Sequence, residues 1–185
     1  MDIDLRNRAD WRAWLEINHS KSRGVWAVIH KKSSAAPRLT LEEAVEEAVC
    51  FGWIDSRLHT LDDDRFKLWF SPRKPNSIWS QSNKERVARL TAQGCMAPAG
   101  LAAVKAAKRN GSWNALEDID NLVIPPDLQA ALDTDRKALS NFATFTDSTK
   151  KMLLRWVDVA KRPETRRKRI DEIVHYAAQN RLPHH

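Results

Sequence analysis

Residues 53–71 read WIDSRLHTLDDDRFKLWFS, and the alternation within them decides the fold. Trp53 to Leu61 and Arg65 to Ser71 both alternate in polarity, the pattern of strands with one buried side, and Asp62-Asp63-Asp64 between them is turn material. Phe66, Leu68 and Phe70 share one face of the second strand. Ile54 and Leu58 share one face of the first, with Ser56 and Thr60. Residues directly opposite in an antiparallel pair point the same way. Pairing Leu58 with Leu68 therefore sets Thr60 against Phe66, and one unbroken register predicts Arg57 opposite Trp69, His59 opposite Lys67 and Asp55 opposite Ser71. A slip of one residue would set Leu58 against Trp69 and mix the faces. The expected hairpin turns its apolar side to the core and carries Asp55, Arg57, His59, Lys67 and Trp69 on the other.

Helical patterns flank it. Asn7 to His19 places Trp11, Trp14 and Leu15 on one stripe, and Gly24 ends that segment before a strand at Val25 to Lys31. Ala35-Ala36-Pro37 reads as a loop. Thr40 with Glu43 forms a capping box, followed by Leu41, Ala44, Val45, Ala48 and Val49 at core-facing spacing, and Gly52 follows the helix end. Pro72 and Pro75 bracket Arg73-Lys74 and stop the hairpin, because proline donates nothing to a ladder. Ser77, Trp79 and Ser80 lie in a loop. Ser82 with Glu85 reads as a second capping box, opening a helix through Val87 and Leu90 that stops at Gly94. Pro98 opens another through Leu101 and Val104 to Gly111. Ser112 to Pro126 is a connection. Beyond it the spacing is helical: Asp127–Leu132, Asp135–Ala143, Thr146–Lys161 and Pro163–Asn180. The fold class is α+β, a small antiparallel sheet with helices followed by an all-helical C-terminal segment. Pro125-Pro126 divides residues 1–124 from a helical region, 125–185, expected to pack on them.

The 185 residues, 42% hydrophobic and 30% charged, suit one domain or two small ones. A net charge of +7 and a pI near 9.6 favour an acidic partner: a nucleic acid, an anionic small molecule such as phosphate, an anionic lipid or an acidic protein, an envelope-related one included. No run approaches the roughly 20 apolar residues of a membrane span, and MDIDLRNRADWRAW has no apolar core of a signal peptide, so a cytoplasmic protein is expected. Cys50 and Cys95 lie in apolar helical context outside any metal or redox spacing and read as buried thiols.

Cys50 to Leu90, followed by Gly94-Cys95-Met96-Ala97-Pro98-Ala99-Gly100, resembles the bacterial YdeI/OmpD-associated family, also called bacteriocin-protection proteins. Trp156 to Val174 resembles that family's C-terminal helical segment, with an A-K-x-P-E-T-R-x-x-R-I pattern at Ala160 to Ile170. One departure is Ser56, where the family pattern has Gly after Trp-Ile-Asp. The resemblance implies a stress or bacteriocin-protection role with links to an outer-membrane porin, and brings no catalytic residue and no cofactor with it.

The candidate site joins Asp55, Arg57, His59, Lys67 and Trp69 to Arg73, Lys74, Ser77 and Trp79. A planar guanidinium over an indole, with lysines and hydroxyls nearby, is a means of holding a phosphate or a stacked base. The bland alternative is a solvated sheet face whose tryptophan is covered by a helix. Asp62 to Asp64 could hold a cation with His59, but consecutive aspartates diverge, and no metal is expected there. Arg162, Arg166, Arg167, Lys168 and Arg169 could track phosphates, although a charged helix exterior is the commoner use of such a run. Motifs of hydrolases, P-loop proteins and dinucleotide binders do not occur in the sequence. The function these features indicate is a non-enzymatic protein binding an anionic ligand or partner. The alternative is a small enzyme acting on a phosphorylated or carboxylate substrate, with Asp55 and His59 as acid and base. His184 and His185 read as a tail.

Overall fold

Asn7 begins the first helix: its side chain accepts the Asp10 N–H at 2.9 Å and caps α1 (Arg8–Asn18). This is a computed structural model, and it describes residues 2–31 and 39–183. The loop expected at Ala35 to Pro37 and the tail at His184 and His185 lie outside the described residues. A short strand that the alternation did not reveal, β1 (Asp2–Asp4), precedes α1. After α1 come β2 (Val25–His30), α2 (Leu41–Cys50) and the hairpin β3 (Trp53–Thr60) and β4 (Arg65–Pro72). The sheet order is β1-β2-β4-β3. β1 runs parallel to β2 and the remaining pairs are antiparallel, so the sheet is mixed.

The inner side of this sheet is made by Val25, Ala27 and Ile29 from β2 and by Leu68 and Phe70 from β4, all buried. They share one core with Trp11 and Leu15 of α1, with α2, and with Val87, Leu90, Val104 and Ala107. Those last four lie on α3 (Gln81–Ala92) and α4 (Pro98–Arg109). Buried indoles keep their N–H groups bonded, as an apolar interior demands. Trp11 donates to the Ala44 carbonyl at 3.0 Å and Trp53 to the His19 carbonyl at 3.1 Å. The Thr40–Glu43 capping box forms as the sequence predicts. The second box does not: Ser80 caps α3 by accepting from the Asn83 N–H at 3.3 Å. Trp79 is buried to 1% exposure, and the chain leaving it reaches helical geometry before Ser82.

Helix α2 is buried on nearly every side, and Glu46 and Glu47 are buried with it, at 5% and 2% exposure. Charged groups enclosed in this way are costly unless they are paired. Arg8 contacts both, at 2.7 Å to Glu46 and 2.6 Å to Glu47, Arg12 adds a 2.8 Å bond to Glu47, and Arg89 of α3 also bonds Glu46. Burial pulls the Arg8 pKa down, but the bonds and charges of Glu47 and Glu46 outweigh it and hold the pKa above the ordinary arginine value.

The chain divides between Ala115 and Leu116, ahead of the Pro125-Pro126 pair. The second unit is helical: α5 (Glu117–Asp120), α6 (Pro126–Asp133), α7 (Arg136–Thr144), α8 (Asp147–Asp158) and α9 (Pro163–Ala178). Helix α9 packs against α6, α7 and α8. Its Ile170, Ile173 and Ala177 enter a core with Leu128, Leu132, Ala138, Phe142, Leu153, Leu154 and Val157.

Two predictions follow from these ion pairs. Glu47→Ala should cost about 2 kcal/mol in urea denaturation, below the 3–5 kcal/mol of a wholly buried pair because Arg8 and Arg12 are about one-third exposed. In the second unit Arg166 forks onto Asp127 at 2.6 and 2.9 Å, and this bond holds the Asp127 carboxyl below its ordinary 3.8. The folded state is favoured by that pair in full above 3.8, and the benefit fades as the pH falls from there through the lower folded value. The melting temperature of Arg166→Ala should therefore lie below wild type at pH 7 and converge on it in acid.

Candidate functional site

Strand pairing assembles the outer side of the sheet. β2 and β4 set Trp26 against Trp69, and β3 and β4 set His59 against Lys67. The two indoles meet edge to face, with centroids 5.3 Å apart and planes at 65°. The Arg57 guanidinium carbon stands 5.4 Å from the Trp69 ring and 5.6 Å from the Trp26 ring. His59 meets Trp26 at 5.1 Å, and the Lys67 ammonium lies 5.2 Å from the same ring while bonding Asp2 at 2.8 Å. Arg57 and His59 are exposed; Trp26, Lys67 and Trp69 are half-buried. Neither Arg57 nor His59 is bonded to a carboxylate among the described residues.

The expected register holds from Leu58 to Thr60 and fails before it. Asp55 pairs with Phe70, Ile54 with Ser71 and Trp53 with Pro72, so β3 carries one extra residue between Asp55 and Leu58. Such a bulge reverses the sides of the residues that precede it. Asp55 therefore shares the side of buried Phe70, away from His59, and the acid–base pair considered from the sequence is divided between the two sides of the sheet. The reason is the large apolar Trp53: the bulge turns it inward, where it is 1% exposed, and Ile54 takes the outer side. Leu58 faces the inner side as expected but stands 57% exposed near the hairpin end.

The other candidates are distributed as follows. Arg73 follows β4 and lies on buried Trp79, which cannot serve as a surface platform. Lys74 is exposed and Ser77 half-buried in the loop between them. The structure thus brings Arg57, His59, Lys67 and Trp69 together, adds Trp26, and separates Asp55, Arg73 and Trp79 from them. Trp26 lies on β2 between buried Val25 and Ala27, and alternation along the strand turns it to the outer side. What the sequence lacked was the knowledge that β2 lies beside β4.

Asp62 is occupied as an ordinary turn residue. It takes the Arg65 guanidinium at 2.9 and 2.7 Å and the Asp64 N–H at 3.0 Å. The C-terminal basic run divides in two. Arg166 and Arg169 are structural, Arg169 donating to the Trp156 carbonyl at 2.6 Å at the end of α8. Arg167 and Lys168 remain 81% and 78% exposed. Cys50 is buried and its thiol pKa is raised to about 11, first by burial and then by Glu47, whereas Cys95 is only half-buried.

The chain is thus an α+β sheet unit followed by a helical unit, with cations and indoles gathered on the sheet's outer side. Residues 3–103, more than half of its 185, match the family model described as a domain of unknown function (DUF8412), and the chain belongs to that family. Residues 121–180 match the model described as bacteriocin-protection, YdeI or OmpD-associated. No curated protein and no solved structure matches. The second match contains the Ala160–Ile170 pattern and supports the resemblance drawn from the sequence over residues 121–180, while Cys50–Leu90 falls inside the domain of unknown function. Among the described residues no helix is long and apolar enough to cross a membrane.

Gly24 fixes one wall of the surface. Its φ of +148° is costly for other residues, and a Cβ there would stand 2.3 Å from the Trp69 ring. Gly24→Ala should destabilise the fold by about 1–3 kcal/mol and change the near-ultraviolet circular dichroism of the indoles, because Trp69 must move.

Proposed function

We propose that this is a non-enzymatic, cytoplasmic protein of the bacteriocin-protection type that binds an anionic ligand or partner on the outer side of its sheet. One observation carries the reading: Arg57 lies over both indoles and, among the described residues, is bonded to no carboxylate. Stacking uses the face of a guanidinium and leaves its N–H edge for an oxyanion, so the rings hold the charge in place without consuming it. Each cation–π contact contributes about 0.5–1 kcal/mol at an exposed site. Besides its place over Trp26, half-buried Lys67 pairs with the more exposed Asp2, a contact open to solvent and worth about 0–1 kcal/mol, and an incoming phosphate displaces that bond at little cost. His59 adds a third donor beside Trp26. The net charge of +7 draws anions to the molecule. The description of the model matching residues 121–180 supports the protection role. Single-stranded nucleic acid fits this chemistry best, with phosphates on the cations and a base against Trp69.

The test is fluorescence anisotropy with a labelled single-stranded oligonucleotide, with inorganic polyphosphate as a competitor that lacks bases. Arg57→Ala should weaken oligonucleotide binding about tenfold and reduce the salt-dependence slope by about one. Trp69→Ala should weaken the oligonucleotide and leave polyphosphate nearly unaffected. Equal affinity for wild type and Arg57→Ala would reject the assignment.

A further inference from the structure

Arg73 is held in a setting unlike that of Arg57. Its backbone N–H donates to the Gly52 carbonyl at 3.0 Å, anchoring it just past β4. Its guanidinium lies 3.8 Å from the Trp79 ring centroid, and Trp79 in turn packs on Trp113 at 5.1 Å. Nη1 reaches the Ile78 carbonyl at a long 3.4 Å. Nε and Nη2 are buried and have no hydrogen-bond partner among the described residues. The Asp55 charge reaches this group, but no bond joins them, and burial pulls the Arg73 pKa down to about 10.

An unbonded buried donor is costly, more so when it is charged, and folded chains retain one where a bound species or a strained function accounts for it. Nε and Nη2 lie side by side along one edge of a planar fork, and that edge matches two oxygens of a carboxylate or phosphate. The face of the group is held over the indole, so the edge is aimed in advance. The segment from Lys74 to Ile78 continues the chain from Arg73 and returns to it through the Ile78 carbonyl at Nη1. Lys74, Pro75 and Asn76 are exposed, and the segment is fastened chiefly at Pro75, whose carbonyl accepts from Asn110 at 2.8 Å and from Ser112 at 3.4 Å. So few ties allow local opening without loss of the core.

We propose that Arg73 anchors a small-oxyanion site, receiving a carboxylate or phosphate group side-on through Nε and Nη2 with Trp79 as its floor. Lys74 supplies positive charge at the mouth. Asp55, turned to this side of the sheet by the bulge, is the built-in competitor that a bound anion must overcome. The site stands independently of the one on the outer side of the sheet.

Calorimetric titration of the full chain with inorganic phosphate and with acetate, at ionic strength matched with chloride, tests it, and thermal melts under the same conditions give a second readout. In wild type at least one of the two anions should bind and raise the melting temperature while chloride does not. Arg73→Lys should weaken that anion about tenfold, since a lysine cannot present the paired edge. Asp55→Asn should tighten it, and each form is also measured on an Arg57→Ala background, so that anion held on the outer side of the sheet is not counted. No anion-specific response in either wild type or Asp55→Asn would overturn the proposal. So would full retention in Arg73→Lys, or the absence of any anion-specific response on the Arg57→Ala background, which would put the anion on the outer side alone. Should Arg73→Lys not fold, Asp55→Asn decides: tighter binding upholds the site and unchanged binding overturns it.

Discussion

The sheet unit is organised around two glutamates that sit where carboxylates are seldom found. Glu46 and Glu47 are inside the protein because Arg8 and Arg12 come down from α1 and Arg89 reaches in from α3. Apolar residues of similar size would stabilise a helix interface equally well, and a network of this kind is better understood as selecting which helices meet and in what register. Arg12 extends the same selection by donating to the Cys95 carbonyl at 3.1 Å, tying in the chain just ahead of α4. Once those helices are gathered on one side of the sheet, the alternation of β2 and β4 leaves Trp26, Lys67 and Trp69 on the other. The position of the candidate surface is thus a consequence of charge pairing some distance away from it.

Much of this was legible in the chain. The capping box at Thr40, the glycine after α2, the hairpin with its aspartate turn and the proline that opens α9 all rest on local chemistry, and local chemistry can be read along a sequence. Pairing of Leu58 with Leu68 and of His59 with Lys67 followed from alternation alone. Three features were not legible, each because it depends on contacts distant in sequence. The bulge answers the demand of Trp53 for burial. The neighbour of β4 is β2, which no local pattern states, and so Trp26 was left out of the candidate site. The stripe of α2 gave no sign that Glu46 and Glu47 would be enclosed, because their arginines arrive from other helices.

The C-terminal pattern teaches a related lesson about motifs. In A-K-x-P-E-T-R-x-x-R-I the two arginines invite a functional reading, and both prove to be fasteners. Arg166 joins the start of α9 to Asp127 of α6, and Arg169 satisfies a carbonyl that α8 leaves open at its end. Pro163 starts the helix, and Ile170 enters the core of the unit. A specific sequence pattern can therefore be the signature of a helical corner. The intervening Arg167 and Lys168 stay exposed, each near an acidic side chain one turn on, Asp171 at 3.6 Å and Glu172 at 3.9 Å.

The single extra residue in β3 makes the strand two half-strands with opposite addresses. Ahead of it, odd-numbered side chains such as Trp53 and Asp55 look inward; beyond it, Leu58 and Thr60 do so, and the odd-numbered His59 looks out. The interior of the sheet and its exterior chemistry are consequently set by different segments of one strand. Substitutions among Arg57, His59 and their neighbours on β4 can retune what the exterior attracts while the anchoring tryptophan stays in place, and a change in strand length at the kink would alter both at once.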